Sequence, residues 1–89
     1  MGEMVLRTEK GGYARNDVLA KVDAYNSLIL ALDEMKMSDA AVNAELEKIR
    51  NMPLNKAKGF IFAGSGFSVE DTDNYIKELE ETIIRKIML

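Results

Sequence analysis

The side chains best suited to chemistry in this chain of 89 residues are three carboxylates that lie close together. Glu70, Asp71 and Asp73 fall in one short stretch, and carboxylates are the ligands that hard divalent cations prefer. The stretch lacks the alternating ligands and the central glycine of a calcium-binding loop. Acidic residues also suit the first turn of a helix, because they face the positive end of its dipole. We therefore predict a helix start here and no metal site.

The second candidate for chemistry is the stretch Gly64-Ser65-Gly66, which follows Lys56 and Lys58. Glycine-rich loops can bind phosphate through their backbone N–H groups when a lysine stands at the start of the next helix. Here the lysines precede the glycines, so the order required for a phosphate-binding loop is not met. The glycines are instead expected to permit a tight reversal from strand to helix, and no cofactor is predicted.

The residue types that the sequence lacks, together with its net charge, argue against several classes of function. The chain has no histidine and no cysteine, which removes the usual neutral-pH acid–base group and the thiolate nucleophile. The net charge of −3 argues against a non-specific grip on nucleic acid, which needs a clustered positive surface. No segment has the pattern of a signal peptide or a membrane span. We therefore expect a cytoplasmic protein without catalytic residues, metal or cofactor.

Periodic apolar residues predict the helices that would hold these side chains. The first helix covers about residues 15–35, and the second covers about residues 39–51, with Ser38 as its N-cap and Pro53 beyond its end. The stripe of the first helix consists of Val18, Val22, Tyr25, Ile29 and Leu32, widened by Leu19, Leu28 and Leu30. Because this stripe is wide, the first helix is expected to contact more than one neighbour.

The third predicted helix begins after Ser68. The Ser68 hydroxyl is expected to cap the first turn while the Asp71 carboxylate reaches back to the Ser68 N–H, as in a capping box. The spacing of its apolar residues is close to that of a coiled coil. This self-association stripe consists of Thr72, Ile76, Leu79, Ile83 and Ile87. Because the stripe runs to the end of the sequence, we expect it to pack against a second chain, with a homodimer favoured.

Two short β-prone runs complete the predicted fold. Residues 4–6, followed by Arg7 and Thr8, form one run, and residues 60–64 form the other, each closed by glycines. An isolated pair of strands is weak, so this pair would need the helices behind it. The fold class is therefore mostly α with a minor two-stranded β element: three helices in a single small domain spanning residues 1–89.

An internal echo links the two ends of the chain. Aligning Gly12 with Gly66 places Tyr13 on Phe67 and Asp17 on Asp71. The later aromatic residues agree only if four residues, about one helical turn, are inserted. The echo predicts quasi-repeats at about residues 5–35 and 59–89, joined by a linking helix at 38–52. The predicted strand–helix corners consist of Gly12, Tyr13, Gly66, Phe67, Ser68 and Asp71.

The stretch GFSVEDTDNYI, residues 66–76, resembles the signature of the DivIVA family, bacterial scaffolds of cell division and polar growth. The first copy, GGYARNDVLAKVDAY, is similar but weaker. The resemblance implies parallel dimerisation through the helices and, in some members, contact with anionic membrane at the inner face. The candidate residues for membrane or partner contact are Lys56, Lys58, Phe60 and Phe62.

Together these features predict a non-enzymatic scaffold module that associates with itself and with protein partners. Two alternatives stay open: a generic helical adaptor or assembly domain, and a small regulatory domain whose aromatic residues line a ligand pocket. Tyr13 and Phe67 are expected to pack on the first helical turns, with contact to lipid or a partner as the alternative.

Overall fold

The computed structural model describes residues 6–34, 37–58 and 64–88. Within them the chain has three helices and a two-stranded antiparallel sheet, which confirms the predicted fold class. In chain order the elements are β1 (Thr8–Lys10), α1 (Arg15–Glu34), α2 (Asp39–Arg50), β2 (Ser65–Phe67) and α3 (Val69–Met88).

The helices begin close to the predicted positions. The Ser38 hydroxyl accepts a hydrogen bond from the Ala41 N–H at 3.1 Å and so caps α2 as predicted. The Ser68 hydroxyl caps α3 in the same way, accepting from the Asp71 N–H at 3.2 Å. These local signals suffice because the cap and the donor lie only three residues apart.

The strands differ from the prediction. β1 and β2 pair in the register Thr8 with Phe67, Glu9 with Gly66, and Lys10 with Ser65. The stretch expected to form a glycine turn is therefore the strand itself, because the absent side chain of Gly66 lets another backbone approach closely. Residues 4–5 and 60–63, on which the predicted strands mainly fall, lie outside the described residues.

The hydrophobic core lies where the three helices meet, and α1 packs against both of the others. Tyr25 on α1 and Ile83 on α3 are fully buried. The core cluster consists of Tyr25, Leu28, Val42, Leu46, Ile49, Leu79 and Ile83. Leu19 and Leu30, which widen the predicted stripe of α1, are exposed instead.

The side-chain contacts fix the directions of the helices. Tyr25 and Asp33 on α1 bond to Glu80 and Lys86 on α3, in the same order along both helices. α1 and α3 are therefore parallel. α2 returns antiparallel to α1, because Lys21 near the start of α1 contacts the carbonyls at the end of α2.

Candidate functional site

The two glycine–aromatic corners pair directly with each other. The Tyr13 N–H donates to the Phe67 carbonyl, and the Phe67 N–H donates to the Tyr13 carbonyl, both at 2.9 Å. Two residues later in each copy, a 20-residue helix begins. The paired corners thus start α1 and α3 side by side and pointing the same way.

Gly12 and Gly66 make this pairing possible. A Cβ atom at Gly12 would lie 2.3 Å from the Phe67 carbonyl oxygen, and one at Gly66 would lie 2.2 Å from the Tyr13 carbonyl oxygen. Neither glycine has a positive φ; within the described ranges only Gly11 does, at 74°. The tight reversal predicted for Gly64 and Gly66 therefore does not depend on a left-handed backbone at Gly66. Gly12 and Gly66 are needed for close approach of the two copies.

Each corner also forms a hydrogen bond with the extended segment that precedes the other copy in the chain. The Ser68 N–H donates to the Arg7 carbonyl, and the Ala14 N–H donates to the Asn55 carbonyl, both at 2.7 Å. Further along each first helical turn, an aspartate accepts from the same extended segment. Asp71 accepts from the Arg7 backbone N–H and guanidinium, and Asp17 accepts from the backbone N–H and side-chain amide of Asn55.

This arrangement corrects the predicted capping box. The Asp71 carboxylate does not reach back to the Ser68 N–H, which the Arg7 carbonyl already occupies. Instead, Asp71 forms a two-pronged ion pair with the Arg7 guanidinium, with both N–O distances at 2.8 Å. The contact joins residues 64 positions apart, which a local sequence motif cannot reveal.

The helices that follow the corners keep the same register without an insertion. Val18 and Thr72 occupy equivalent positions and are both fully buried, as are Tyr25 and Leu79. The four-residue insertion suggested by the sequence is therefore not needed. The Thr72 hydroxyl has no partner among the described residues, which fits a position that holds valine in the other copy.

The aromatic side chains of the corners make contacts within the chain. The Tyr13 hydroxyl donates to Asp73 at 3.0 Å, and the Lys56 ammonium lies 5.0 Å from the centre of the Tyr13 ring. The Arg15 guanidinium lies 5.9 Å from the centre of the Phe67 ring. Both rings are half-buried, and these contacts join each ring to residues of the other copy or of the segment before it; packing of each ring on the first turns of its own helix stays a prediction.

A polar network that the sequence does not suggest joins the three helices. The hydroxyl of fully buried Tyr25 donates to Glu80 at 2.5 Å, and Arg50 donates to the same carboxylate at 2.7 Å. Beside it, the ammonium of buried Lys21 donates to the carbonyls of Arg50 and Met52. A cation there satisfies carbonyls at the end of α2 and complements its dipole.

The contacts and the burial of these residues shift the pKa values of Glu80, Tyr25 and Lys21. Hydrogen bonds from Arg50 hold the pKa of Glu80 below its ordinary value. Burial raises the pKa of Tyr25, and the neighbouring Glu80 carboxylate raises it further. Burial lowers the pKa of Lys21. Glu80 is thus a structural link between α2 and α3.

The predicted self-association stripe is largely covered by the chain itself. Thr72, Leu79 and Ile83 are buried, and Ile76 and Ile87 are half-buried against the same core. Self-association stays a prediction, but it cannot use the three buried residues while the chain keeps this fold.

The residues predicted for membrane or partner contact are only partly described. Lys56 stacks on Tyr13, and Lys58 is exposed, whereas Phe60 and Phe62 lie outside the described residues. None of the described helices is long and apolar enough to cross a membrane. In residues 6–34, 37–58 and 64–88, no three His, Cys, Asp or Glu residues come together as metal ligands could.

The described residues line at least two surface grooves. An open groove of about 710 Å³ lies between β1 and the start of α3, where Glu9 already accepts from the Val69 N–H at 2.6 Å. A more apolar groove of about 400 Å³ lies between α1 and α2. The second groove is lined by Ala24, Ser27, Leu28, Ala31, Met37, Glu45 and Ile49. It contains no aromatic residue, so it does not match the predicted aromatic ligand pocket.

The Arg7–Asp71 ion pair is expected to make stability sensitive to acid. Hydrogen bonds from Arg7 lower the pKa of Asp71 from 3.8 to about 2. Because the folded pKa is the lower one, the pair stabilises the fold above pH 4 and loses this effect as the pH falls towards 2. Urea unfolding midpoints measured across this range should fall more steeply for the wild type than for Asp71→Asn. Arg7→Gln should likewise make the fall of the unfolding midpoint with pH less steep. If both variants fall as steeply as the wild type, the ion pair is not the cause of the acid sensitivity.

Comparison of the chain with protein families, with curated proteins and with solved structures finds no match.

Proposed function

We propose that this chain is a non-enzymatic association module, a small helical scaffold of the kind that the DivIVA-like signature suggests. The observation that carries the proposal is the reciprocal pairing of Tyr13 and Phe67 at the base of two parallel helices. The residues of the signature serve to join one helical unit to another, and the two units of one chain already form such a pair.

The buried polar groups support an assembly role over catalysis. Tyr25, Glu80 and Lys21 are engaged in contacts between helices, and Asp71 is engaged with Arg7. Each of these contacts fixes one element against another, and none leaves a reactive group at the bottom of a groove. The role proposed for the module is to hold partner proteins in a fixed arrangement. The proposal includes the process in which DivIVA-like scaffolds act, cell division.

Self-association is the first function to test, since an internal pair leaves other surfaces for further copies. Among the described residues, the large apolar side chains that stay exposed are Leu19, Leu30, Ile84 and Met88. Light scattering over a range of protein concentrations should give a mass that rises from the 10.0 kDa of one chain towards twice that value. A mass that stays at one chain up to millimolar concentration would contradict self-association.

Membrane contact is a secondary part of the proposal. It places the protein at the cytoplasmic face of the membrane, with exposed Lys58 near the contact. Anionic lipid would be attracted to such a basic segment.

A further inference from the structure

One face of α1 is left uncovered by the other described residues of the chain. Leu19 and Leu30 are 51% and 56% exposed, although α1 packs against both α2 and α3. The two leucines are eleven positions apart, about three helical turns, so they lie on the same side of α1. Asp23 and Asn26 lie between them on this side and are also exposed. We call these four residues the α1 face.

The charges at the two ends of α1 oppose its dipole. Arg15 is its first residue, Glu34 is its last, and the last turn holds no basic residue. In contrast, α2 and α3 begin with acidic residues and end with basic ones. α1 does carry Asp17 in its first turn, but that carboxylate is bound to Asn55. Arg15 and Glu34 are both exposed, so each is available to a helix lying alongside.

We infer that two copies of the chain associate through antiparallel contact of their α1 faces. Leu19 and Leu30, Asp23 and Asn26, and Arg15 and Glu34 are three pairs with the same midpoint, between Ala24 and Tyr25. A single twofold axis at this midpoint therefore brings each residue onto its counterpart in the second copy. Such a self-complementary patch is what a symmetric dimer requires.

Each pair is chemically suited to the contact. The leucines bury apolar surface against each other, and the Asn26 amide donates to the Asp23 carboxylate of the second copy. Arg15 meets Glu34, and both then lie near the helix end of the second copy that favours their charge. The contact involves one helix from each copy, so the dimer belongs to the small, weak class of interfaces and weakens further with salt.

This inference names the surface for the self-association proposed above, and it rests on that function. The first experiment is sedimentation equilibrium of the full chain and of Leu30→Glu, from micromolar to millimolar protein. Leu30→Glu should weaken dimerisation at least about tenfold, since a buried leucine is lost twice per dimer. Ile84→Glu is the matched control, because Ile84 is exposed on α3; it should leave the dimer unchanged. Circular dichroism verifies that both variants keep the fold.

A charge exchange tests the antiparallel arrangement separately. Arg15→Glu and Glu34→Arg should each weaken the dimer, and the double variant R15E/E34R should restore it, because these positions meet only when the helices are antiparallel. A dimer that survives Leu30→Glu but is lost in Ile84→Glu would overturn the α1 face and leave the association module standing. A wild type that stays monomeric would overturn both, and failure of the double variant to restore the dimer would overturn the antiparallel pairing.

Discussion

Gly12→Ala should destabilise the chain by about 3 kcal/mol or more, the upper end of what overpacking costs. The added Cβ would lie 2.3 Å from the Phe67 carbonyl oxygen. That oxygen cannot move aside, because it accepts the Tyr13 N–H and thereby holds the two copies together. Gly66→Ala should cost a similar amount, since its Cβ would meet the Tyr13 oxygen in the mirrored contact. Urea unfolding followed by circular dichroism measures both effects.

Gly11→Ala provides the control for this prediction. Gly11 has a φ of 74°, and a Cβ atom added to it would meet nothing within 4 Å. Alanine there therefore meets only backbone strain, about 1–2 kcal/mol. A clearly smaller loss than at Gly12 is expected. Equal losses at the two neighbouring glycines would show that backbone conformation, and not the close approach of the two copies, is what the corner requires.

The sequence predicts the helices well because their signals are local. Ser38 and Ser68 cap helices whose donors lie three residues away, and the apolar periodicity of the first helix selects Val18 and Tyr25, which are both fully buried. The described strands pair Thr8 with Phe67, far along the chain, whereas the predicted runs fall mainly on residues 4–5 and 60–63, outside the described residues. β-propensity favours neighbouring runs, whereas the close approach of glycine backbones decides the actual register.

The candidate site is predictable only in part for the same reason. The sequence singles out Gly12, Tyr13, Gly66 and Phe67, but nothing in either copy indicates that the two pairs bind each other. Glu80 lies among neighbouring acidic residues in the sequence and so resembles part of a solvated face. Its role depends on two partners, Tyr25 and Arg50, that belong to other helices.

The paired corners of the two copies make equivalent contacts, whereas the helices that follow them have different neighbours. α2 packs on one side of the α1–α3 pair. There Lys21 donates to the Arg50 carbonyl at the end of α2, and Glu80 accepts from both Tyr25 and Arg50. The residues at the equivalent positions of the opposite copies are Tyr75, Leu79 and Asn26. Tyr75 lacks the ammonium of Lys21, Leu79 lacks the hydroxyl of Tyr25, and Asn26 lacks the carboxylate of Glu80. A second helix therefore has no equivalent polar anchor on the other side, which leaves the α1 face uncovered.

Glu80→Leu is the second substitution with a large expected effect. It leaves the hydroxyl of fully buried Tyr25 without its acceptor and removes the carboxylate that binds Arg50. An unsatisfied buried hydroxyl costs about 1–3 kcal/mol, so we expect a loss of about 3 kcal/mol in the free energy of unfolding once the Arg50 contact is included. Tyr25→Phe alone should cost less, because Glu80 then keeps Arg50.

A double-mutant cycle and a pH series separate the causes of this loss. If the unpaired hydroxyl dominates, Tyr25→Phe combined with Glu80→Leu should cost clearly less than the two single losses together; additive losses would contradict that cause.

The pKa of Glu80 lies below its ordinary 4.5 because Arg50 donates to it. The network therefore contributes fully above pH 4.5, and this contribution disappears as the pH falls through the lower folded value. Glu80→Gln, which cannot ionise, should lose the part of the acid dependence that belongs to this carboxylate.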